Sequence, residues 1–215
     1  MGSRAEIIGR IIETPECVAE GAEFLAAAEP RFAAALRMTG PLPLRRRSEG
    51  FEQLLAAIVS QQVSVAAADS IWGRIRTAGL NDPWMIGKAD DSELRAVGLS
   101  RQKVRYARAL AGARIDYDGL RDLPDEDVIS ILTSVQGIGR WTAEIYLMFS
   151  LGRADAFAAG DLALREAARI LFETDDRPND PQLRAMAEAW TPWRAVAARL
   201  LWAYYRVIKE REGIR

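Results

Sequence analysis

Histidine is absent from this 215-residue sequence, and cysteine occurs once, at Cys17. Without histidine no His-ligated catalytic zinc can be built, and acid–base or nucleophilic chemistry falls to carboxylates, Lys, Tyr, Ser or Thr. A single thiol excludes an internal disulfide, a four-cysteine zinc site and a four-cysteine iron–sulfur cluster. No apolar run approaches the ~20 residues of a membrane span, and residues 1–10 lack the continuous apolar stretch of a signal peptide. Nor is there a strong excess of charge of one sign: 29 Lys and Arg stand against 30 Asp and Glu, a net charge of −1. That excludes a basic coat over the whole surface but leaves room for a local basic face. What is present is 49% apolar and 27% charged, the composition of a soluble, globular protein; a cytoplasmic location and no membrane partner are expected. The length suits one domain or two small lobes.

The pattern along the chain is helical throughout, and the fold class expected is all-α. Ile7, Ile8, Ile11 and Ile12 fit a short helix or strand over residues 4–13. Thr14-Pro15-Glu16 reads as a helix start, with Thr as cap and Pro at the first helical position. That helix should end at Glu29-Pro30, and a second should end at Gly40. Pro41-Leu42-Pro43 is extended, and Arg45-Arg46-Arg47 is either a solvated loop or a phosphate contact. Phe51, Leu54, Leu55, Ile58 and Val59 repeat at helical spacing. Ser60-Gln61-Gln62 interrupts them, and an alanine-rich helix is expected over residues 63–77. Asn81-Asp82-Pro83-Trp84 reads as a turn. Ser100 can cap a helix over residues 101–113, whose Arg101, Lys103, Arg105 and Arg108 form either a solvated face or a basic track. Late in the chain, Pro192 is expected to start the last helix, with Val196, Leu200, Ala203 and Val207 on its apolar face.

The densest local signal is Leu132-Thr133-Ser134-Val135-Gln136-Gly137-Ile138-Gly139-Arg140-Trp141-Thr142. Ile129, Leu132 and Val135 close one helical pattern, and Trp141, Ile145, Met148 and Phe149 open another. Gly137 and Gly139 between them allow a very tight turn. As a bare connection this is an ordinary helical corner. As a helix start it also presents the N–H groups of residues 137–142 to an anion such as a phosphate. Farther on, Gly160-Asp161 precedes Leu164, Ala167, Ala168 and Leu171, so Asp161 reads as an N-cap.

Together these stretches resemble the helix-hairpin-helix (HhH-GPD) DNA glycosylase superfamily. Val135-Gln136-Gly137-Ile138-Gly139-Arg140-Trp141-Thr142-Ala143 is similar to its hairpin. Ile58-Val59-Ser60-Gln61-Gln62-Val63-Ser64 is similar to the lesion-side loop of the alkylbase branch, the 3-methyladenine DNA glycosylase II type, and Trp190-Thr191-Pro192-Trp193-Arg194 to the start of its last long helix. The resemblance implies two helical lobes with the active cleft between them, residues 1–49 plus 154–215 and residues 50–153. It makes Asp161 the catalytic carboxylate, stabilising the oxocarbenium-like sugar and orienting water. It assigns phosphate binding to Gly137, Ile138, Gly139, Arg140 and Thr142, and the DNA wedge to Gln62 with Gln61. It builds the base pocket from Trp141, Trp202, Ile145 and Leu162. Ile145 and Leu162 replace tyrosines of some members, which Tyr146 or Tyr204 could offset. A monovalent cation, Na⁺ or K⁺, would sit on the main-chain carbonyls of Thr133, Val135 and Ile138, with no other cofactor.

Trp141 stands where bifunctional relatives carry a Schiff-base lysine, so the resemblance implies a monofunctional enzyme. The partner would be double-stranded DNA with alkylated bases, bound by a monomer that is nucleoid-associated if bacterial. Plainer readings stand beside these. Asp161 is then only a cap, Trp141 a core anchor, Gln61-Gln62 a polar junction, and the whole a noncatalytic DNA-binding module.

Overall fold

The computed structural model describes residues 8–211, so the part of the 4–13 expectation that rests on Ile7 lies outside the described residues. Within them there is no named strand. Ile11 and Arg153 form an isolated antiparallel bridge, flanked by Ile12 N–H to Gly152 O at 2.7 Å and Ala154 N–H to Arg10 O at 2.9 Å. The chain divides into two compact units, Met1–Arg46 with Leu147–Arg215, and Arg47–Tyr146. The sequence had set these limits at residues 49/50 and 153/154.

The first unit holds α1 (Pro15–Ala28) and α2 (Pro30–Thr39), then α10 (Leu162–Phe172), α11 (Asp180–Ala187) and α12 (Arg194–Arg211). Helix α12 packs on α10, α2 and α1. Leu25, Phe32, Leu164, Val196 and Leu200 are sealed from solvent between them, and each such side chain contributes about 1.5–3 kcal/mol of burial. Gly21 lets α1 approach closely, since a Cβ there would lie 2.7 Å from both Trp193 and Val196. An aromatic cluster of Phe32, Phe157, Phe172 and Trp190 fills the remainder, with ring centroids 5.2–5.8 Å apart.

The second unit runs through α3 (Phe51–Ser60), α4 (Val65–Thr77), α5 (Pro83–Lys88), α6 (Asp91–Ala96), α7 (Arg101–Gly112), α8 (Asp125–Thr133) and α9 (Arg140–Tyr146). Helix α7 packs on both α3 and α5, and α8 on α9. Leu54, Leu55, Ile58, Ile86, Leu110, Val128 and Leu132 make its core.

Local chemistry moved several boundaries. Thr14 occupies the N-cap of α1 but makes no capping bond; its hydroxyl lies 3.6 Å from Cys17 Sγ. Helix α4 starts at Val65 because Ser64 caps it, accepting from Ala67 N–H at 3.2 Å. Asn81-Asp82-Pro83 is not only a turn: Asp82 accepts from the N–H groups of Trp84 and Met85 and starts α5. Pro192 does not open the last helix. Its peptide bond with Thr191 is cis, Trp193 N–H bonds Trp190 O at 2.8 Å, and α12 begins at Arg194. There Arg194 forks onto Asp155 with bonds of 2.9 and 2.8 Å.

Candidate functional site

In the second unit, α8 ends through bonds from Ser134 N–H to Ser130 O and from Val135 N–H to Leu132 O, and Ile138 N–H closes the turn on Val135 O at 3.0 Å. Gly137 sits at φ +97°. A Cβ on it would lie 2.4 Å from Cγ of Tyr106, so the ring of Tyr106 packs where a side chain would otherwise stand. Ala143 N–H then bonds Gly139 O at 3.1 Å, the first bond of the α9 ladder. The N–H groups of residues 140–142 therefore precede it at the positive end of the helix.

One N–H leaves the expected anion-binding set, and two of the other residues can offer only their backbone. The N–H of Ile138 is spent on the turn and leaves the anion-binding set. The guanidinium of Arg140 is committed to carboxylates of the protein itself, Glu126 at 2.6 and 3.2 Å and Glu144 at 3.0 Å. These carboxylates raise its pKa further, Glu126 first; what Arg140 offers is its backbone N–H. Thr142 is buried, so its hydroxyl is not presented at the surface.

The loop after α3 is tied to the same hairpin. Gln61 donates from Nε2 to the carbonyl of Gly137 at 2.9 Å, which commits it to the scaffold and not to insertion into DNA. Gln62 is exposed at φ +56°, flanked by exposed Val63 and Val65. An open cavity of about 570 Å³ lies against the hairpin, lined by Gln61, Gln62, Gln102, Lys103, Tyr106 and Gly137 among others. Sequence reading passed over Tyr106. Its signal was helical spacing, since Lys103 and Tyr106 share one face of α7.

Of the two readings of α7, a solvated face or a basic track, only part of either is open to the four cations. Lys103 is only 8% exposed and donates to Val59 O at 2.6 Å, satisfying a carbonyl in the last turn of α3. Burial lowers its pKa. Arg108 is held by Asp91 and by the carbonyls of Ile86 and Ala89. Arg101 and Arg105 remain exposed.

Trp141 is 48% exposed, so it is no core anchor. Ile145, one turn on, is half-buried. Tyr146 cannot offset its lost ring: it is 2% exposed, and its hydroxyl accepts from Gly50 N–H at 2.8 Å at the start of α3. Burial pushes that hydroxyl up to about 12.

In the first unit, Asp161 is the N-cap of α10. Its Oδ1 accepts from Ala163 N–H at 2.9 Å and Leu164 N–H at 3.1 Å. A third donor is the indole Nε1–H of Trp202, at 3.1 Å from α12. Leu162, the first residue of α10, is 61% exposed. Trp202 is half-buried and lies against Phe149, with ring centroids 5.8 Å apart. Phe149 belongs to a π-helical turn, Leu147–Leu151. Tyr204 is buried.

The carbonyls of Thr133, Val135 and Ile138 can be tested as a cation cradle. Among the described residues those of Thr133 and Ile138 accept no hydrogen bond, and that of Val135 accepts one, from Ile138. Each therefore keeps a lone pair in the turn between α8 and α9, the kind of donor a hard monovalent ion takes.

A profile described as "HhH-GPD superfamily base excision DNA repair protein" matches residues 55–194, a span that contains both the hairpin and Asp161. DNA-3-methyladenine glycosylase 1 of Schizosaccharomyces pombe is 33% identical over 165 residues, 73% of this chain and 72% of its own length. DNA-3-methyladenine glycosylase 2 of Escherichia coli is 27% identical over 168 residues, 72% of this chain and 57% of its own. Among solved structures, the S. pombe 3-methyladenine DNA glycosylase in complex with abasic DNA matches with a TM-score of 0.74 at 31% identity, over 85% of this chain and 95% of that one. The DNA-3-methyladenine glycosidase of Bacillus halodurans matches with 0.79 at 30% identity, over 94% of each. With a glycine hairpin between two helices and an aspartate held at the head of a later one, the chain belongs to the HhH-GPD superfamily of base excision DNA repair proteins.

Proposed function

We propose that this protein is a monofunctional DNA glycosylase that hydrolyses the N-glycosidic bond of alkylated purines, 3-methyladenine and 7-methylguanine, as the first step of base excision repair. The observation that carries this reading is Asp161, whose Oδ1 gathers three N–H donors. A carboxylate held in place needs no reorganisation when charge appears beside it. As the C1′–N bond of a flipped nucleotide breaks, the base leaves with the bonding electrons and positive charge grows on the sugar. Asp161 stabilises that charge and orients the water that adds at C1′, which then loses a proton.

The hairpin anchors the DNA backbone through the N–H groups at the head of α9. Gln62, with Val63 and Val65 beside it, enters the stack that the target base leaves. Trp141, exposed and aromatic, offers a face to a cationic base. Thr133, Val135 and Ile138 would hold a Na⁺ or K⁺ ion, which supplies positive charge next to a phosphate. The enzyme is of the 3-methyladenine glycosylase II type without lyase activity and acts on double-stranded DNA as a monomer. It works in the cytoplasm, on the nucleoid if bacterial. No helix among the described residues is long and apolar enough to cross a membrane.

The test is release of bases from methylated DNA, resolved by chromatography, with Asp161→Asn as control. Release of 3-methyladenine and 7-methylguanine by the wild type and not by the variant is expected. No release by a wild type that binds abasic DNA would leave a noncatalytic DNA-binding module.

A further inference from the structure

Trp202 and Asp161 lie on different helices of one unit, 41 residues apart, yet the indole N–H is spent on the carboxylate. We propose that Trp202 is a positioning residue for Asp161, a role that rests on the glycosylase reading of Asp161.

The capping bonds from Ala163 and Leu164 both come from the first turn of α10. Donors on one side leave the terminal torsion of an aspartate soft, because that torsion has only broad minima. A third donor from α12 fixes it. The indole is a donor only, so its single N–H cannot serve both the carboxylate and a base. The ring is itself held from behind. Phe149 lies 5.8 Å away at a tilt of 32°, and the Arg199 guanidinium stands over Phe149 at 4.8 Å. Arg199 is buried and is held by carbonyls, Leu44 O at 3.3 and 3.1 Å and Ala195 O at 2.8 Å. Arg199 thus packs on Phe149 and Phe149 on Trp202, whose indole N–H reaches the carboxylate oxygen.

The experiment pairs kinetics with a direct view of the bond. Trp202 is replaced by Phe, and separately by β-(3-benzothienyl)alanine, which keeps the bicyclic shape and removes the N–H. Misplacing a reacting group by about 1 Å can cost roughly 100-fold. Single-turnover excision is therefore expected to fall roughly 10- to 100-fold in both variants, with affinity for abasic-site DNA unchanged within about twofold. In ¹⁵N-indole spectra the Trp202 resonance, assigned by its loss in Trp202→Phe, should move on Asp161→Ala. A wild-type rate in the benzothienyl variant, or an affinity loss that tracks the rate loss, overturns the proposal. So does an unmoved resonance. If the wild type releases no base at all, the glycosylase reading fails instead, and the spectra still report whether the indole holds the carboxylate.

Discussion

The side-chain amide of Gln61 donates to the carbonyl of Gly137 at 2.9 Å, across 76 residues of sequence. This bond joins the loop after α3 to the turn between α8 and α9, so the segment that carries Gln62 is braced by the segment that presents the N–H groups at the head of α9. The two adjacent glutamines therefore have different duties. Gln61→Ala is expected to cost about 1 kcal/mol of folding stability and to weaken DNA binding by loosening the loop. Gln62→Ala, at an exposed site, should leave stability within about 0.5 kcal/mol and still slow excision. Urea unfolding beside single-turnover kinetics separates them; equal stability losses would contradict the bracing.

The two glycines of the hairpin also part company. Gly137→Ala must push a Cβ into the ring of Tyr106 and hold it at positive φ, so about 1–3 kcal/mol of stability is expected to be lost from overpacking alone. Gly139 has no atom within 4 Å of a built Cβ and no positive φ. Gly139→Ala should fold normally and bind every DNA sequence less tightly, since phosphate contacts carry no sequence information. Its salt dependence should flatten by about one phosphate contact. Binding titrations at several salt concentrations decide this, and an unchanged slope with unchanged affinity would remove the head of α9 from the DNA contact.

Local features of this fold were legible in the sequence. The apolar period from Phe51 to Val59, the Ser100 cap, the glycine hairpin and the Asp161 cap each depend on residues within a turn or two of one another. Contacts that cross the chain left no such trace. Lys103 looks like one more cation on a basic helix until α3 packs over it and Val59 O claims its ammonium. Trp202 looks like an aromatic on an apolar face, and only the meeting of α10 and α12 reveals the bond to Asp161. Pro192 misled for a local reason: its usual place at a helix start is overridden by the turn that Trp193 closes on Trp190.

Tyr146 gives a pH dependence of stability. Its hydroxyl is buried and rises from 10.0 to about 12 on folding, with burial the main cause. Above pH ~10 an unfolded chain loses this proton while the folded one keeps it, so the contribution is complete below ~10 and is lost as pH rises through ~12. The size is about 3 kcal/mol. Tyr146→Phe should cost about 1 kcal/mol near neutrality, where Gly50 N–H loses its acceptor, and should decline less steeply in alkali. Urea titrations between pH ~8 and ~11.5 test it. Parallel curves for the two proteins would show that another group governs the alkaline loss.

The side chain at position 141 bears on the reaction type. Trp141 has no amine to attack the sugar, and a Schiff base needs one. No covalent enzyme–DNA adduct is expected under borohydride, and strand scission should require added base or heat. A trapped adduct would show that a lysine elsewhere acts as nucleophile and that the enzyme is bifunctional.

The last expectation concerns the choice of base. The chain has no histidine to protonate a leaving base. A site with one positioned carboxylate and no assigned acid for the leaving base works best on bases that depart without being protonated. N3- and N7-alkylated purines carry a positive charge and leave as neutral molecules. The same charge favours the exposed face of Trp141, and weakened stacking at such lesions lowers the cost of flipping. Excision of 3-methyladenine and 7-methylguanine should therefore exceed that of uracil and 8-oxoguanine by orders of magnitude. Duplexes with single defined lesions, compared under single turnover, measure the ratio. If the neutral bases are removed as fast as the cationic ones, leaving-group ability is not what the enzyme selects, and specific hydrogen bonds to the flipped base must supply the discrimination.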